Sequence, residues 1–229
     1  LALLSSHPRV VLMELGQCGL SGAWQLGLQP GETLLDLSVA DGFRLSSSAL
    51  QPCLQVHASG LHYLAARPHA VGSGTFRQGV LADTLAFLQT QYDAVIVDLD
   101  ASALAQSTEV IRQSTALIPI AEHDPLGMWH LDALRRWLAE ARFDAKVPGF
   151  VLVDRSPEPI RDTASSLASQ AKLGVLAVIP PAPLAMYQAS VMRQPVVLSD
   201  PESEVATAYR ELGERLMATP IEAPSGMRP

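Results

Sequence analysis

Residues 92–100, YDAVIVDLD, have the pattern of a parallel strand that ends in two carboxylates, Asp98 and Asp100. Near-continuous apolar runs of this length are typical of parallel sheets, in which helices cover both faces. Ligands of such sheets bind outside the carboxyl ends of the strands. We therefore expect the two aspartates to lie at a functional edge of a parallel sheet; the simpler alternative is a solvated strand end and a helix cap.

Apolar strands and amphipathic helices alternate on both sides of this stretch. Predicted strands cover 10–15, 60–66, 115–122, 147–155 and 174–181, and predicted helices cover 77–92, 101–114, 124–143, 159–173 and 203–218. Asp124 is predicted to cap the third of these helices, with Pro125 at its first position, and Thr33 to cap a short helix near the amino terminus. This order predicts an α/β fold, a parallel sheet with helices on both faces.

The composition indicates one large globular domain. The chain has 229 residues, of which 48% are hydrophobic and 17% charged, and no apolar run approaches the roughly 18 residues of a membrane span. We assign residues 1–217 to a single domain and residues 218–229, which are polar and proline-rich, to a flexible tail. Residues 1–9 read as the last turns of a helix already under way, so we expect a fragment of a longer or processed polypeptide.

Charge and cysteine content argue against several classes of protein. The formal net charge is −7 and the only lysines are Lys146 and Lys172, which disfavours direct binding to nucleic acid. Cys18 and Cys53 are too few for a disulfide framework, and no secretory signal is visible, so a cytoplasmic protein is expected. The six histidines lack the paired spacing of a zinc site.

The order and spacing of the strand ends carry a family resemblance. From YDAVIVDLD through the strands at 115–122 and 147–155 to VLAVIPPAPLAMYQASVMRQPVVLSDPESEVATAYREL, residues 175–212, the sequence resembles the MinD/ParA group of P-loop ATPases. Within that group it looks most like the CpaE/TadZ branch, which is associated with pilus assembly and polar localisation. The resemblance spans about residues 1–217 and implies the P-loop NTPase form of the α/β fold.

The resemblance places Asp98 and Glu14 on the phosphate side of a nucleotide site, with ATP and Mg²⁺ as cofactors. Asp98 falls at the Walker B aspartate and is the implied metal-binding residue. One carboxylate suits Mg²⁺, which prefers hard oxygen ligands and keeps several waters. Glu14 falls at the acidic residue of the family's deviant second motif. Asp100 is as readily interpreted as the cap of a helix that begins near Ser102.

The resemblance places four further residues beside the adenine: Asp154, Arg155, Pro180 and Pro181. Asp154 and Arg155 follow one strand, and the two prolines match the loop that lines the other side of the base. The family commonly has an asparagine where Asp154 stands. An ionised carboxylate only accepts hydrogen bonds, so this replacement removes a donor.

Two departures weaken the expectation of ATP hydrolysis. Phosphate binding in this family needs a glycine-rich loop that ends in Gly-Lys-Ser or Gly-Lys-Thr, and neither sequence occurs in the chain. With the first strand, that loop would precede Leu1, so it is either missing from this chain or degenerate. Leu15 and Gly16 stand where the family supplies an aspartate pair, which puts the activation of the attacking water in doubt.

The sequence therefore predicts a CpaE/TadZ-like pilus-assembly or polar-localisation factor. Its degenerate ATPase domain would act through nucleotide-sensitive or constitutive homodimerisation. Its other partners would be pilus or polar-localisation proteins, which would recruit it to the membrane or cell pole without insertion into the membrane. The alternative is an active ATPase whose Walker A loop lies upstream of Leu1, and a DNA-partitioning ATPase is less favoured by the acidic charge.

Overall fold

The computed structural model describes residues 1, 9–16, 21–29, 31–38, 44–66, 76, 79–100, 104, 107–141, 147–156 and 164–218. The strands are β1 (Val10–Glu14), β2 (Leu54–Val56), β3 (His62–Ala65), β4 (Ala94–Asp98), β5 (Ile120–Glu122), β6 (Phe150–Val153) and β7 (Val175–Ile179). The helices are α1 (Ser21–Gln25), α2 (Leu34–Ser38), α3 (Ser47–Leu50), α4 (Val80–Gln91), α5 (Thr108–Gln113), α6 (Pro125–Glu140), α7 (Ala164–Ala171), α8 (Pro183–Met192), α9 (Val196–Ser199) and α10 (Glu204–Ala218). A 3-10 turn, Gln51–Cys53, links α3 to β2.

The chain divides into two compact units. The first contains Leu1, Leu3–Gln113 and Ala189–Pro195, and the second contains Ala2, Ser114–Gln188 and Val196–Pro229. Strands alternate with helices along both, and most strand pairs are parallel, so the predicted α/β class is confirmed. The assignment of 1–217 to one functional domain stays a prediction.

The sheet of the first unit has the strand order β2-β3-β1-β4. β1 pairs in parallel with both β3 and β4, whereas β2 pairs antiparallel with β3. Both faces of β1 are covered: Val11 and Met13 pack among residues of α2 to α5, while Val10 packs with residues of α1 and β3. This two-sided burial explains why residues 10–13 of β1 are all apolar.

The second unit has a parallel sheet in the order β5-β6-β7. Its core joins β6 to α6 and α7 through the following buried side chains: Leu131, Phe150, Leu152, Leu167 and Ala171. α10 packs against β7 and α9. The two parallel pairings align the carboxyl ends of β5, β6 and β7 at one edge.

Two predicted helix caps are confirmed. The Asp124 carboxylate accepts a hydrogen bond from the Gly127 amide, and Pro125 occupies the first turn of α6. At α2, Thr33 Oγ1 accepts from the Asp36 amide at 3.4 Å, and the Asp36 carboxylate accepts in return from the Thr33 amide at 3.0 Å. This reciprocal arrangement satisfies amides that a helix amino terminus leaves without partners.

Several elements differ from the sequence prediction. β2, α1, α3, α8 and α9 were not predicted, and the antiparallel β2 departs from an all-parallel sheet. The helix predicted at 101–114 is described only from Thr108, so the proposed cap near Ser102 lies outside the described residues. The predicted tail also lies outside them from residue 219 onward. No described helix has both the length and the apolar character needed to cross a membrane.

Candidate functional site

Glu14 and Asp98 are neighbours at the carboxyl edge of the first sheet. β1 and β4 run parallel in a register that sets Glu14 directly beside Asp98. The pairing continues one residue further, because the Leu15 amide donates to the Asp98 carbonyl at 2.9 Å. The structure thus brings together the two residues that the resemblance places on the phosphate side.

The Glu14 carboxylate is buried and already hydrogen-bonded. Only 3% of the residue is exposed. The hydroxyls of Ser21 and Tyr63 donate to its two oxygens, and the Gly22 amide lies 3.2 Å from each of them. Since a buried carboxylate is costly unless it is hydrogen-bonded, these donors explain how Glu14 is accommodated.

Tyr63 connects this carboxylate to α1. Its side chain is fully buried, and its hydroxyl donates to Glu14 beside the backbone of Ala23 in α1. Burial, followed by the hydrogen bond to Glu14 and the negative charge there, raises the pKa of Tyr63 above its usual range. A side chain at Gly22 would meet the tyrosine ring at 2.9 Å, so glycine is required for this close approach.

Asp98 faces a different environment from Glu14. Its side chain is exposed, yet the surrounding protein removes part of its hydration, which raises the pKa of Asp98. The negative charges of Glu14 and Asp100 add to this increase. Asp100 lies against the backbone after β1, since a Cβ built on Gly16 would be 3.3 Å from its Oδ2 atom. The edge therefore gathers three carboxylates.

The second unit positions Asp154 at the carboxyl end of β6. The residue is 5% exposed, its Oδ1 atom accepts from the Ser156 amide at 2.8 Å, and its own amide donates to the Ile179 carbonyl at 2.9 Å. This backbone hydrogen bond joins the ends of β6 and β7. Asp154 therefore lies beside Ile179, the residue that precedes Pro180. Pro180 is half-buried and Pro181 is exposed.

Arg155 points to a neighbouring strand of the same unit. Its Nε atom lies 3.2 Å from Glu122 Oε1 at the end of β5, with 74% and 50% of the two side chains exposed. Arg155 also lies close enough to Tyr209 of α10 for its charge to lower the pKa of that tyrosine, although burial outweighs it and the net shift is upward. The predicted adenine-side residues thus lie at the ends of β6 and β7, with Glu122 of β5 as an additional member.

The chemistry of the first edge fits Mg²⁺ held through water. Among the described residues, no group of three or more His, Cys, Asp or Glu side chains is arranged to hold a metal ion directly. Asp98 is the exposed carboxylate oxygen donor of the Glu14–Asp98 pair, and the neighbouring negative charges that raise its pKa would be offset by a cation. Asp98 therefore suits an ion that keeps most of its own water shell.

Sequence reasoning missed Tyr63, Ser21 and Gly22. Their roles depend on Glu14 being turned toward α1, and the five-residue α1 is too short to show a helical period. Gly22 carries no local signal of its role. Its close contact with the Tyr63 ring comes from a residue that is 41 positions away.

Comparison with known proteins supports the fold. No protein-family model and no curated protein matches the sequence. Among solved structures, a ParA family ATPase from Chlorobium tepidum TLS has a TM-score of 0.75 and 19% identity, covering 91% of this chain and 85% of that one. MinD from Pyrococcus horikoshii OT3 complexed with Mg-ADP has a TM-score of 0.72 and 20% identity, covering 94% of this chain and 86% of that one. The MinC:MinD complex of Aquifex aeolicus has a TM-score of 0.72 and 15% identity, covering 97% of this chain and 89% of that one. The chain therefore has the α/β fold of the MinD and ParA ATPases.

Proposed function

We propose that this chain is a CpaE/TadZ-like pilus-assembly or polar-localisation factor built on a degenerate MinD/ParA-type ATPase domain. It would bind ATP with Mg²⁺ weakly, hydrolyse it poorly, and act mainly as a scaffold. The observation that carries this proposal is that the Glu14 carboxylate already accepts hydrogen bonds from Ser21, Tyr63 and Gly22. The fold and the charge of the chain support it.

Glu14 is poorly suited to activate water. A general base needs an oxygen within hydrogen-bond reach of the attacking water and able to take its proton. Both Glu14 oxygens already accept hydrogen bonds inside the protein, and the residue is 3% exposed. This occupancy of both oxygens favours binding without efficient turnover.

Asp98 would be the residue that holds the water shell of Mg²⁺. It is exposed at the carboxyl end of β4, where ligands of such sheets bind. When bound, Mg²⁺ would neutralise part of the phosphate charge. The rest of the site depends on Asp98 orienting coordinated water, with Glu14 beside it on β1.

Asp154, Arg155, Pro180 and Pro181 would line the adenine side. The Asp154 Oδ1 atom is occupied by the Ser156 amide, and an ionised carboxylate has no hydrogen to donate to the base. Adenine recognition through this residue would therefore be weaker than through an asparagine. This again favours a domain in which nucleotide modulates assembly rather than driving it.

The partners would be a second copy of the chain and other pilus or polar-localisation proteins. A structural neighbour of this chain is a MinD in complex with MinC, which makes a protein partner plausible for the fold. The net charge of −7 disfavours direct DNA binding, because such binding relies on lysine and arginine replacing counterions. Recruitment to the membrane or cell pole would then depend on these partners.

Nucleotide titration tests the proposal directly. Fluorescent ATP with Mg²⁺ is titrated against the polypeptide as it is encoded in full, its Asp98→Ala variant and an Asp93→Ala control. Asp93 precedes β4 at the opposite end and pairs with Arg9 at 2.7 Å. We expect weak binding that Asp98→Ala abolishes and Asp93→Ala leaves unchanged. Equal binding by all three proteins would remove Asp98 from the site.

Turnover distinguishes the scaffold from the active ATPase. Phosphate release is measured for the same full polypeptide and for Glu14→Gln. The scaffold predicts slow release that Glu14→Gln does not reduce, because both Glu14 oxygens already accept hydrogen bonds from Ser21, Gly22 and Tyr63. Rapid release that Glu14→Gln abolishes would replace the proposal by the active-ATPase alternative.

Two further measurements address assembly and localisation. Light scattering with and without ATP reports whether a dimer forms and whether nucleotide changes it. A fluorescent fusion reports localisation in cells with and without the pilus genes. A diffuse, monomeric protein with normal piliation in the deletion strain would contradict the pilus or polar role, whatever its nucleotide binding.

A further inference from the structure

α1 is held at its amino end by the Glu14–Tyr63 pair. Two consecutive residues of its first turn are bonded to Glu14: the Ser21 hydroxyl and the Gly22 amide both donate to the carboxylate. The Gly22 amide is one of the backbone groups that a helix start leaves without an intrahelical partner. The position of α1 thus depends directly on where the Glu14 carboxylate points.

Arg193 holds the other end of α1. Its Nη2 atom donates to the Leu28 carbonyl at 2.7 Å and its Nε atom to the Trp24 carbonyl at 3.3 Å. The guanidinium also lies 4.3 Å from the centroid of the Trp24 ring. We call Arg193, Trp24 and Leu28 the arginine latch. It ties α1 to the segment Ala189–Pro195, which follows more than 160 residues later and belongs to the same unit.

The turn after α1 is shaped to fit this latch. Gly27 has a φ of +65°, and a Cβ there would lie 2.9 Å from the Arg193 carbonyl oxygen. Arg193 itself has a φ of +52°, which is uncommon for a residue with a side chain. Two backbones in the left-handed region therefore meet here, so that the guanidinium reaches both carbonyls.

The charges at the two ends complement the helix. A carboxylate lies at the amino end of α1 and a guanidinium at its carboxyl end, the arrangement that the helix dipole favours. α1 has only five residues, and 57% of Trp24 is exposed. Such a short helix is marginal by itself, so its position depends on these two clamps.

We propose that α1 couples the Glu14–Asp98 edge to the arginine latch. A cation at Asp98 competes with the first turn of α1 for the Glu14 carboxylate, because the two acids lie side by side on β1 and β4. As Glu14 turns toward the cation, α1 loosens and the latch opens. The identity of the cation as Mg²⁺ rests on the proposed function, whereas the coupling between the two ends of α1 does not.

Trp24 reports the coupling without any ligand. The full polypeptide carries Trp129→Phe and Trp137→Phe, and any tryptophan encoded outside these residues is also replaced. Trp24 is then the fluorophore. Acrylamide quenching is then compared for Glu14→Gln, Ser21→Ala and Asp93→Asn. We expect Glu14→Gln to raise the quenching of Trp24 most, Ser21→Ala to raise it less, and the control Asp93→Asn to leave it unchanged. Folded Glu14→Gln and Ser21→Ala proteins with unchanged quenching would overturn the coupling, and Ser21→Ala alone decides it if Glu14→Gln does not fold.

A second experiment tests the coupling in the opposite direction, from the arginine latch to the cation. If a cation opens the latch, then opening the latch must tighten cation binding by the same factor. MgCl₂ is titrated at constant ionic strength, with Trp24 fluorescence and isothermal calorimetry as readouts, and Arg193→Gln is expected to tighten binding by about fivefold. Measurable binding of unchanged affinity would overturn the coupling. No Mg²⁺ binding to any variant would instead overturn the metal role of Asp98, and the quenching result would still decide the coupling.

Discussion

The carboxyl edges of the two sheets differ in how their charged side chains are arranged. In the first unit, Glu14 is 3% exposed, neutral donors hold it, and Asp98 and Asp100 add further negative charge. In the second unit, the acidic Glu122 is balanced by Arg155, and the pair is largely exposed. The first edge gathers like charges around one buried carboxylate, whereas the second edge pairs an exposed acid with an exposed base beside the buried Asp154.

This difference indicates where substitutions should matter. A buried carboxylate needs every one of its donors, since removing one leaves the desolvation cost uncompensated. An exposed ion pair stabilises the protein only slightly, because water and salt already screen both charges. We therefore expect large effects around Glu14 and small effects around Arg155.

The largest effect is expected for Tyr63→Phe. The change removes the hydroxyl that donates to Glu14 and leaves the ring in place, so the free energy of unfolding should fall by about 2 kcal/mol. The matched control is Tyr209→Phe in the second unit, a half-buried residue for which we expect a loss of about 0.5 kcal/mol or less. Urea unfolding of both variants makes the comparison. Equal losses would mean that Glu14 does not depend on Tyr63.

The next largest effect is expected for Asp124, which caps α6 near the second edge. Asp124→Ala removes the cap of α6 and should cost about 1 kcal/mol, because the Gly127 amide loses its acceptor. Glu140→Ala, at the last turn of the same helix, is the control and should not destabilise the protein, since an acid there opposes the helix dipole. Thermal or urea unfolding measures both. A loss for Glu140→Ala as large as for Asp124→Ala would argue against a specific cap.

Asp98→Asn should stabilise the protein at neutral pH. Partial desolvation and the nearby acids raise the pKa of Asp98, so its ionisation costs stability as the pH rises from the ordinary aspartate pKa through the raised value. Asparagine avoids this cost, and we expect the Tm to increase by about 1–2 °C at pH 7 and not at all below the ordinary aspartate pKa.

Asp132→Asn in the second unit should behave in the opposite way. Its hydrogen bond to Arg135 lowers the pKa of Asp132, with nearby positive charges adding to the effect. Its contribution to stability is present above the ordinary aspartate pKa and is lost as the pH falls through the lowered value. Thermal melts of both variants across this pH range give the test. The same sign for both at pH 7 would refute the contrast between the two units.

The sequence was sufficient for the framework of both edges. The apolar strands that end in Glu14, Asp98 and Asp154 are visible as runs, and parallel pairing brings their carboxyl ends to sheet edges. The α6 cap was equally accessible, because Asp124 and Pro125 act on their own helix. Such features are local, or follow from the alternation of strands and helices.

The contacts that distinguish the edges were not accessible from the sequence. Glu14 meets Tyr63, and Trp24 meets Arg193, across 49 and 169 residues, and no local pattern specifies either contact. α8 was missed because its run PLAMYQASVM lacks the separation of apolar and polar faces that periodicity detects, and Leu184 and Tyr187 are more than 60% exposed. β2 has only three residues, too few for an alternating pattern.

The smallest effect is expected for Arg155→Gln, which breaks the ion pair with Glu122. Both side chains are largely exposed, so the attraction in water is offset by the cost of ordering two flexible chains, and the free energy of unfolding should change by less than about 0.5 kcal/mol. Glu122→Gln should give the same small value, and 0.5 M NaCl should reduce the effect of either change because salt screens exposed charges. Urea unfolding at low and high salt supplies the measurement. A salt-insensitive loss near that of Tyr63→Phe would mean that the Arg155–Glu122 pair contributes as much as the buried contacts of Glu14, and the contrast between the two edges would then fail.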